Sequence, residues 1–430
     1  MNEATSATTP LGQGRIGRRS RASIPRKFRS ILSLNDFEPA ARRRLPRPLF
    51  GYVSGGVEEE NAMHGAAAAY RDYVLVPRYF AGVAGVTADI SLLGEHWTAP
   101  FGIAPMGLCA LNGYRADLAM ARAAHDAGVP MVISGSSLIP LEKTAEANPR
   151  AWFQIYLPPS PDKLAALLDR VRAAGITTLV VTVDSPVGSN RENNMKTGFS
   201  SPLRPNLRLA WDGVTRPRWL FGTFLKTLMT DGMPHFENLY AYRGVPIVSR
   251  SAQREFGGRA HFTWETFRDL RKTWQGHLIV KGILHPGDAR LAIDAGADGL
   301  IVSNHGGRQL DAAVAPLHML PMVVEAAKDV PVMLDSGIRR GTDAVKALGL
   351  GARFVFVGRP FNYAAAIGEE AGVAYALSIL KGEIIRTLAQ IGVTRVDDID
   401  PAQVVPRGVL PRNAFAQDSE RGHGDDPIHQ

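Results

Sequence analysis

The sequence predicts an α/β fold, a TIM (β/α)8 barrel, and three observations carry that prediction. Eight short apolar segments alternate with amphipathic helical stretches, the pattern of a parallel sheet built from crossover units. Several of the helical stretches stop at an Ala-Gly or Leu-Gly pair, as helix C-termini do: Gly128, Gly175, Gly296 and Gly351. Polar and ionisable residues gather at the C-terminal ends of the apolar segments, where such barrels carry their sites.

In chain order the predicted strands cover residues 101–106, 131–134, 152–156, 178–184, 278–282, 299–305, 331–337 and 354–359. Helical periodicity separates them over 116–127, 161–174, 286–295, 316–328 and 342–348. Eight strands close a TIM barrel. A doubly wound open sheet is the alternative, but no G-x-G-x-x-G follows an early strand, so a dinucleotide fold has little support. The spacing breaks once, over 185–262, and such a stretch after strand four reads as a lid or docking insertion. Residues 216–229 within it are basic and apolar; packing on the barrel rim and contact with a membrane surface are both open readings. The expected organisation is a disordered basic arm over 1–30, a barrel over 31–411 and a disordered tail over 412–430.

Composition bounds the function. The 430 residues are 45% hydrophobic and 21% charged, as in a soluble globular protein, and hold no apolar run long enough to span a bilayer. No signal peptide is expected. Cys109 is the only cysteine, which excludes an internal disulfide framework and a cysteine-rich metal site; no metal is expected, and a cytoplasmic location fits. Residues 1–50 carry eleven Lys/Arg against three acids, so the whole net charge of +8 lies there and the rest of the chain is neutral. The arm reads as a transit peptide, a contact for anionic lipid or a solubilising tail. Nucleic-acid binding is not expected, because no basic face continues into the body.

Residues 303–311, Ser-Asn-His-Gly-Gly-Arg-Gln-Leu-Asp, follow directly on a predicted strand. Two glycines allow a sharp turn and a close approach to a ligand. His305 can act as a base near neutral pH, and Arg308 can hold a carboxylate with two parallel hydrogen bonds. A base beside a carboxylate clamp suggests removal of a proton or hydride next to a carboxylate. Other strand ends bring Gln154 and Tyr156, Thr182 and Asp184, Lys281, then residues 335–339 (Asp335, Ser336, Gly337, Ile338, Arg339), and finally Gly358 and Arg359. Each alone could be a satisfied polar residue. Six strands delivering such groups to one rim point to function. Glycines and arginines after strands seven and eight are where TIM barrels bind phosphate, which implies a phosphorylated cofactor or substrate. Lys281 could stabilise negative charge on a bound ring.

With these residues in place the chain resembles the FMN-dependent (S)-2-hydroxy acid oxidase/dehydrogenase family, which includes glycolate oxidase and the L-lactate and (S)-mandelate dehydrogenases. The resemblance covers residues 33–393 and rests on 50–56, 104–107, 154–156, 182–184, 191–192, 280–282, 303–311, 335–341 and 358–359. It implies His305 as the base at the substrate C2 centre, Asp184 as the group that orients and stabilises its imidazolium, and Tyr156 as a partner of the substrate hydroxyl. Arg308 and Tyr52, with Arg191, would bind the substrate carboxylate. Pro105, Met106, Gly107, Ser134, Gln154, Thr182, Lys281, Asp335, Ser336, Gly337, Ile338, Arg339, Gly358 and Arg359 would hold FMN. It also implies a homo-oligomer, a tetramer in related proteins.

Departures from the family pattern bear on subtype. Met106 replaces a common Thr, and Gly51 a common Asp. Gly107 resembles the dehydrogenase branch, while Ser136 and Gly188 are small where a narrower pocket has bulk. The expected activity is oxidation of an L-2-hydroxy acid, lactate- or mandelate-like, with electrons passed to a quinone or other acceptor. The alternatives are an oxygen-dependent oxidase that releases hydrogen peroxide and an FMN-dependent isomerase. A carboxylate clamp argues against the isomerase. Residues 216–229 resemble the long loop of membrane-associated members, so a peripheral position on the inner membrane face is expected beside the cytoplasmic one.

Overall fold

The structure is a computed structural model that describes residues 25–158, 160–200, 207–249, 260 and 262–408. Eight strands form one parallel sheet: β1 Phe101–Ile103, β2 Val132–Ser134, β3 Trp152–Ile155, β4 Thr178–Thr182, β5 His277–Ile283, β6 Gly299–Val302, β7 Val332–Leu334 and β8 Phe354–Val357. Their order is β1-β8-β7-β6-β5-β4-β3-β2. A parallel bridge between Ile103 and Met131 joins β1 to β2 and closes the ring. The fold is therefore the TIM barrel, not the open sheet.

Strand residues are almost all buried, as expected where helices cover the outside and side chains fill the inside. Trp152 of β3 and Phe356 of β8, which are not neighbours in the ring, meet with ring centroids 5.4 Å apart. The interior is a packed core, not a pore. Among the helices, Ala116–Ala127 matches its expected span, and Gly128 ends it with φ +65°. Gly175, Gly296 and Gly351 likewise take positive φ, which a residue with a Cβ adopts only at a cost.

Four expectations need correction. Strands 1, 3, 4, 6, 7 and 8 end earlier than expected; past strands 6 and 7 the chain leaves the extended region, with φ of +57° at His305 and of +79° and +84° at Ser336 and Gly337. Tyr156, Asp184, His305 and residues 335–339 thus stand just past the sheet, while Ser134, Gln154, Thr182 and Lys281 stay within it. Strand β5 runs beyond Lys281 to Ile283, with an irregular register around Gly282 (φ +110°). The 185–262 insertion contains short helices where described: Glu192–Thr197, Leu207–Val214, Pro217–Trp219, a π-helical turn Leu220–Leu225 and Lys226–Thr230. Finally, the basic arm ends earlier than residue 30. Phe28 is buried in a short 3₁₀ turn, stacks on Tyr375 at 5.3 Å and fills the space that Gly368 leaves without a Cβ. Most of the arm, 1–24, and the tail, 412–430, lie outside the described residues.

N-terminal helices Phe37–Arg44, Arg47–Ser54 and Asn61–Ala68 precede the barrel. Asp311 fastens the third of these to the site, taking Ala62 N at 3.0 Å and Asn61 Nδ2 at 2.9 Å. Phe28→Ala is expected to destabilise the protein by about 3–5 kcal/mol, the usual cost of emptying a buried aromatic site. Urea unfolding would read this, and an unchanged midpoint would place residue 28 outside the core.

Candidate active site

Ser303, Asn304 and His305 leave β6 and the chain then turns left-handed through three residues in a row, with φ of +57°, +66° and +71° at His305, Gly306 and Gly307. Glycine is required at 307, where a Cβ would sit 2.3 Å from the Met63 nitrogen. Buried Ser303 accepts the His305 amide at 3.0 Å through its Oγ. The turn delivers the imidazole to Asp184: Nδ1 lies 2.7 Å from Oδ1. Burial works against the Asp184 charge, but His305, Lys281 and Ser185 outweigh it and hold its pKa below the ordinary value. An ionised carboxylate accepts, so Nδ1 carries the hydrogen and Nε2 keeps a lone pair. Burial, opposed by Asp184 and assisted by Lys281 and Arg191, lowers the His305 pKa from 6.5. At neutral pH this imidazole is an uncharged base.

Arg308 lies three residues on. Its Nη1 donates to two backbone carbonyls, Tyr52 O at 2.8 Å and Gly55 O at 2.7 Å, and its guanidinium stands 5.0 Å from the Tyr52 ring centre. Burial first, then Arg191 and Arg359, pull its pKa down to about 9. Arg359 opens the helix Arg359–Gln390 and donates to Val53 O, Gly55 O and Gly306 O. Burial likewise pulls it down, to about 10. Both are half-buried cations held by neutral oxygens. Such a charge is unfavourable until an anion arrives. Lys281 differs: its Nζ meets Asp335 Oδ2 at 2.8 Å and Ser303 Oγ at 2.9 Å. Burial opposes its charge, yet Asp335 and Asp184 raise its pKa above the ordinary value.

Two cavities meet at these residues. The inner cleft is lined by Pro105, Met106, Lys281, residues 335–339, Gly358 and Arg359, all expected there, together with Val53 and Asn362, which sequence reasoning missed. The outer cavity, about 540 Å³, includes Leu108, Ser136, Gly188, Arg191, Phe199, Phe236 and Gln309 in its wall. Tyr52, Tyr156, His305 and Arg308 line both. The site therefore has two compartments with base and clamp at the boundary.

Four expected cofactor residues do not line the inner cleft. Ser134, Gln154 and Thr182 are buried at the ends of β2, β3 and β4, and Gly107 follows Met106 on the loop after β1. Gln154 uses its Oε1 to take Gly135 N at 3.2 Å, while its buried Nε2 has no partner among the described residues. Ser303, Asn304 and Gln309 hydrogen-bond within the site, and sequence reasoning left them without roles. Asn304 takes Gly307 N at 3.1 Å and donates to Ala62 O at 3.2 Å. Their only signal was membership of the 303–311 motif.

Comparison with known proteins matches this arrangement. The family model of the FMN-dependent dehydrogenases matches residues 41–406. A putative L-lactate dehydrogenase of Mycobacterium tuberculosis (strain ATCC 25618 / H37Rv) is 37% identical over 382 residues, 88% of this chain and 90% of that protein. An L-lactate dehydrogenase of Stenotrophomonas maltophilia (strain R551-3) is 37% identical over 374 residues, 86% and 97% respectively. Among solved structures, the monotopic membrane protein (S)-mandelate dehydrogenase superposes with a TM-score of 0.81 at 34% identity, covering 88% of this chain and all of that one. A mandelate oxidase variant gives a TM-score of 0.73 at 32% identity, covering 88% of this chain and 99% of that one. With its model matched across nearly the whole described body, the chain belongs to the FMN-dependent dehydrogenase family and is an oxidoreductase that acts on 2-hydroxy acids.

Proposed function

We propose that the protein oxidises an L-2-hydroxy acid, lactate- or mandelate-like, to the 2-oxo acid. The observation that carries this reading is a neutral base, His305, and a half-buried cation held only by carbonyls among the described residues, Arg308, on the shared wall of two cavities. Arg308, assisted by Arg191 and Tyr52, takes the substrate carboxylate. Tyr156 holds the hydroxyl, and Nε2 of His305 takes the proton at the C2 centre. Asp184 then stabilises the imidazolium. An outer cavity of about 540 Å³ is of ligand size. Gly188, where a Cβ would meet nothing within 4 Å, leaves room for a side chain larger than that of glycolate.

The inner cleft suits FMN on its own chemistry. Lys281 offers a buried ammonium for a ring that gains negative charge, and Gln154 a buried donor without a partner. Ser134, Thr182, residues 105–107, Asp335, Ser336, Gly337, Ile338, Arg339, Gly358 and Arg359 complete the holding set. When bound, FMN supplies the two-electron acceptor for the substrate carbon.

For the second half-reaction we favour a quinone or another acceptor near a membrane. Among the described residues no helix is long and apolar enough to cross a bilayer. Trp211, Val214, Phe221 and Met229 are exposed apolar groups on the insertion, with Arg216, Arg218 and Lys226 among them. That composition suits peripheral contact with an anionic surface, and a relative described as monotopic supports it. Trp219, which the sequence suggests for the same face, is buried and donates to Leu111 O at 2.7 Å. The resemblance to mandelate oxidases favours oxygen as the second reading.

Three outcomes are expected. His305→Gln should retain flavin, while flavin reduction by substrate slows at least about 10²-fold, the scale of a lost general base; near-normal stopped-flow reduction would remove His305 from the role. Only the neutral imidazole accepts a proton, so kcat/KM should fall as pH drops through the His305 pKa. Because that pKa lies below 6.5, the acid limb should too; a limb above it would assign the base elsewhere. The intact protein should co-sediment with anionic liposomes at low salt and be released by Phe221→Ser with Met229→Ser. Protein that stays in the supernatant would favour the oxygen-dependent reading.

A further inference from the structure

Gln309 follows Arg308 directly and lines the outer cavity beside Arg191 and His305. Both ends of its amide are engaged. Nε2 donates to the Asp184 carbonyl at 3.2 Å, and Oε1 accepts from Nη2 of Arg191 at 2.9 Å. Among the described residues, the remaining hydrogen bonds of the Arg191 guanidinium run from Nε, to Ser189 Oγ at 3.0 Å and to Arg308 O at 3.3 Å. All three partners are neutral oxygens. Yet Arg191 stands close enough to Arg308 and His305 for its charge to lower the pKa of each.

Two guanidiniums side by side repel, and an arginine on a cavity wall would relax toward water unless something held it. Among the described residues, the bond that Nη2 of Arg191 donates to Gln309 is the one that reaches the outer end of this guanidinium. We propose that Gln309 is a positioning residue: it holds Arg191 against Arg308 so that both meet the substrate carboxylate, and it ties that pair to the loop that carries Asp184. This rests on the reading of Arg308 and Arg191 as the carboxylate clamp. The residue between the clamp and Leu310 thus sets how tightly the acid is captured, without touching the reacting atoms.

The test is Gln309→Met, which keeps the length and removes both hydrogen-bonding ends. The KM for hydroxy acid, and the Kd for oxalate read from flavin absorbance, should rise about tenfold, the scale of a lost hydrogen bond to a charged group. The change in kcat should stay below about twofold, as for lost uniform binding. The acid limb of kcat/KM should also move to higher pH, because Arg191 lowers the His305 pKa while Asp184 and Lys281 stay in place. In an Arg191→Met background, Gln309→Met should add less than about twofold. Should Gln309→Met not fold, the same cycle is read with Gln309→Asn, one methylene too short to bridge both partners. An unchanged KM, oxalate Kd and acid limb would overturn the assignment, as would a full effect that persists without Arg191. Arg308→Lys separates the two failures. If it too leaves the oxalate Kd unchanged, the clamp reading is wrong; if it weakens oxalate while Gln309→Met does not, only the role of Gln309 is lost.

Discussion

The left-handed turn through His305, Gly306 and Gly307 is the constraint on which both compartments depend. A residue with a Cβ pays about 1–2 kcal/mol to adopt this region, so His305 stays there only because its surroundings over-determine it. Ser303 Oγ takes the His305 amide, Ser336 Oγ takes Gly306 N at 3.1 Å, and Asn304 takes Gly307 N through both its carbonyl and its Oδ1. Gly307 O in turn receives Val57 N at 3.0 Å. An extended continuation of β6 would carry His305 away from Asp184 and Arg308 away from the Tyr52 and Gly55 carbonyls. One backbone excursion thus sets the base and the clamp together.

Electrostatics divide the site in the same way. Asp184 and Asp335 are matched to His305 and Lys281, so the half-buried imidazole and the buried ammonium have their counter-charges built in. Arg308 and Arg359 are solvated by carbonyls instead, and Arg191 by Ser189, Gln309 and a carbonyl. Removing a charge from water without a counter-ion is costly. A fold that retains such cations at a cavity wall is preorganised for anions: a carboxylate and a phosphate satisfy it, and a neutral ligand does not. The charges alone, apart from any resemblance, select the same chemical class of ligand.

Most of the fold and the identities at the rim were legible in the sequence for one reason. Periodicity and helix stops are local signals, and each strand end exposes its polar residues at a fixed place in the pattern. Ala116–Ala127 could be bounded to the residue because its apolar stripe and Gly128 stop agree. What local signals cannot carry is reach. Phe28 reads as part of a basic arm, since its partner Tyr375 is 347 residues away in the chain. Gly51 reads as a lost Asp; a Cβ there would lie 2.4 Å from Thr197 Oγ1, so the position is occupied by the insertion. Gln309 has a motif but no role until Arg191 is seen beside it. Strand ends were overextended for the related reason that a left-handed turn is invisible at a non-glycine residue such as Ser336.

The insertion shows how an apolar stripe divides once it is folded. Trp219 turns inward, bonds Leu111 O and stacks on Phe224 at 5.5 Å. Arg115 holds Asp231 with its Nε at 3.0 Å, and Asn238 takes Leu141 N at 2.9 Å and donates to Ile139 O at 3.0 Å. These bonds join the segment to the loops after β1 and β2, which also supply Met106 and Leu108 to the cavities. Phe236, beyond the same segment, is itself part of the outer cavity wall. Residues 219–238 of the insertion are therefore tied to the rim, and the side chains that face it are already used. Apolar groups left outside this packing, Phe221 at 65% exposure and Met229 at 79%, face away from it. Their exposure on so firmly attached an element favours an external apolar partner over a lid that folds across the cleft.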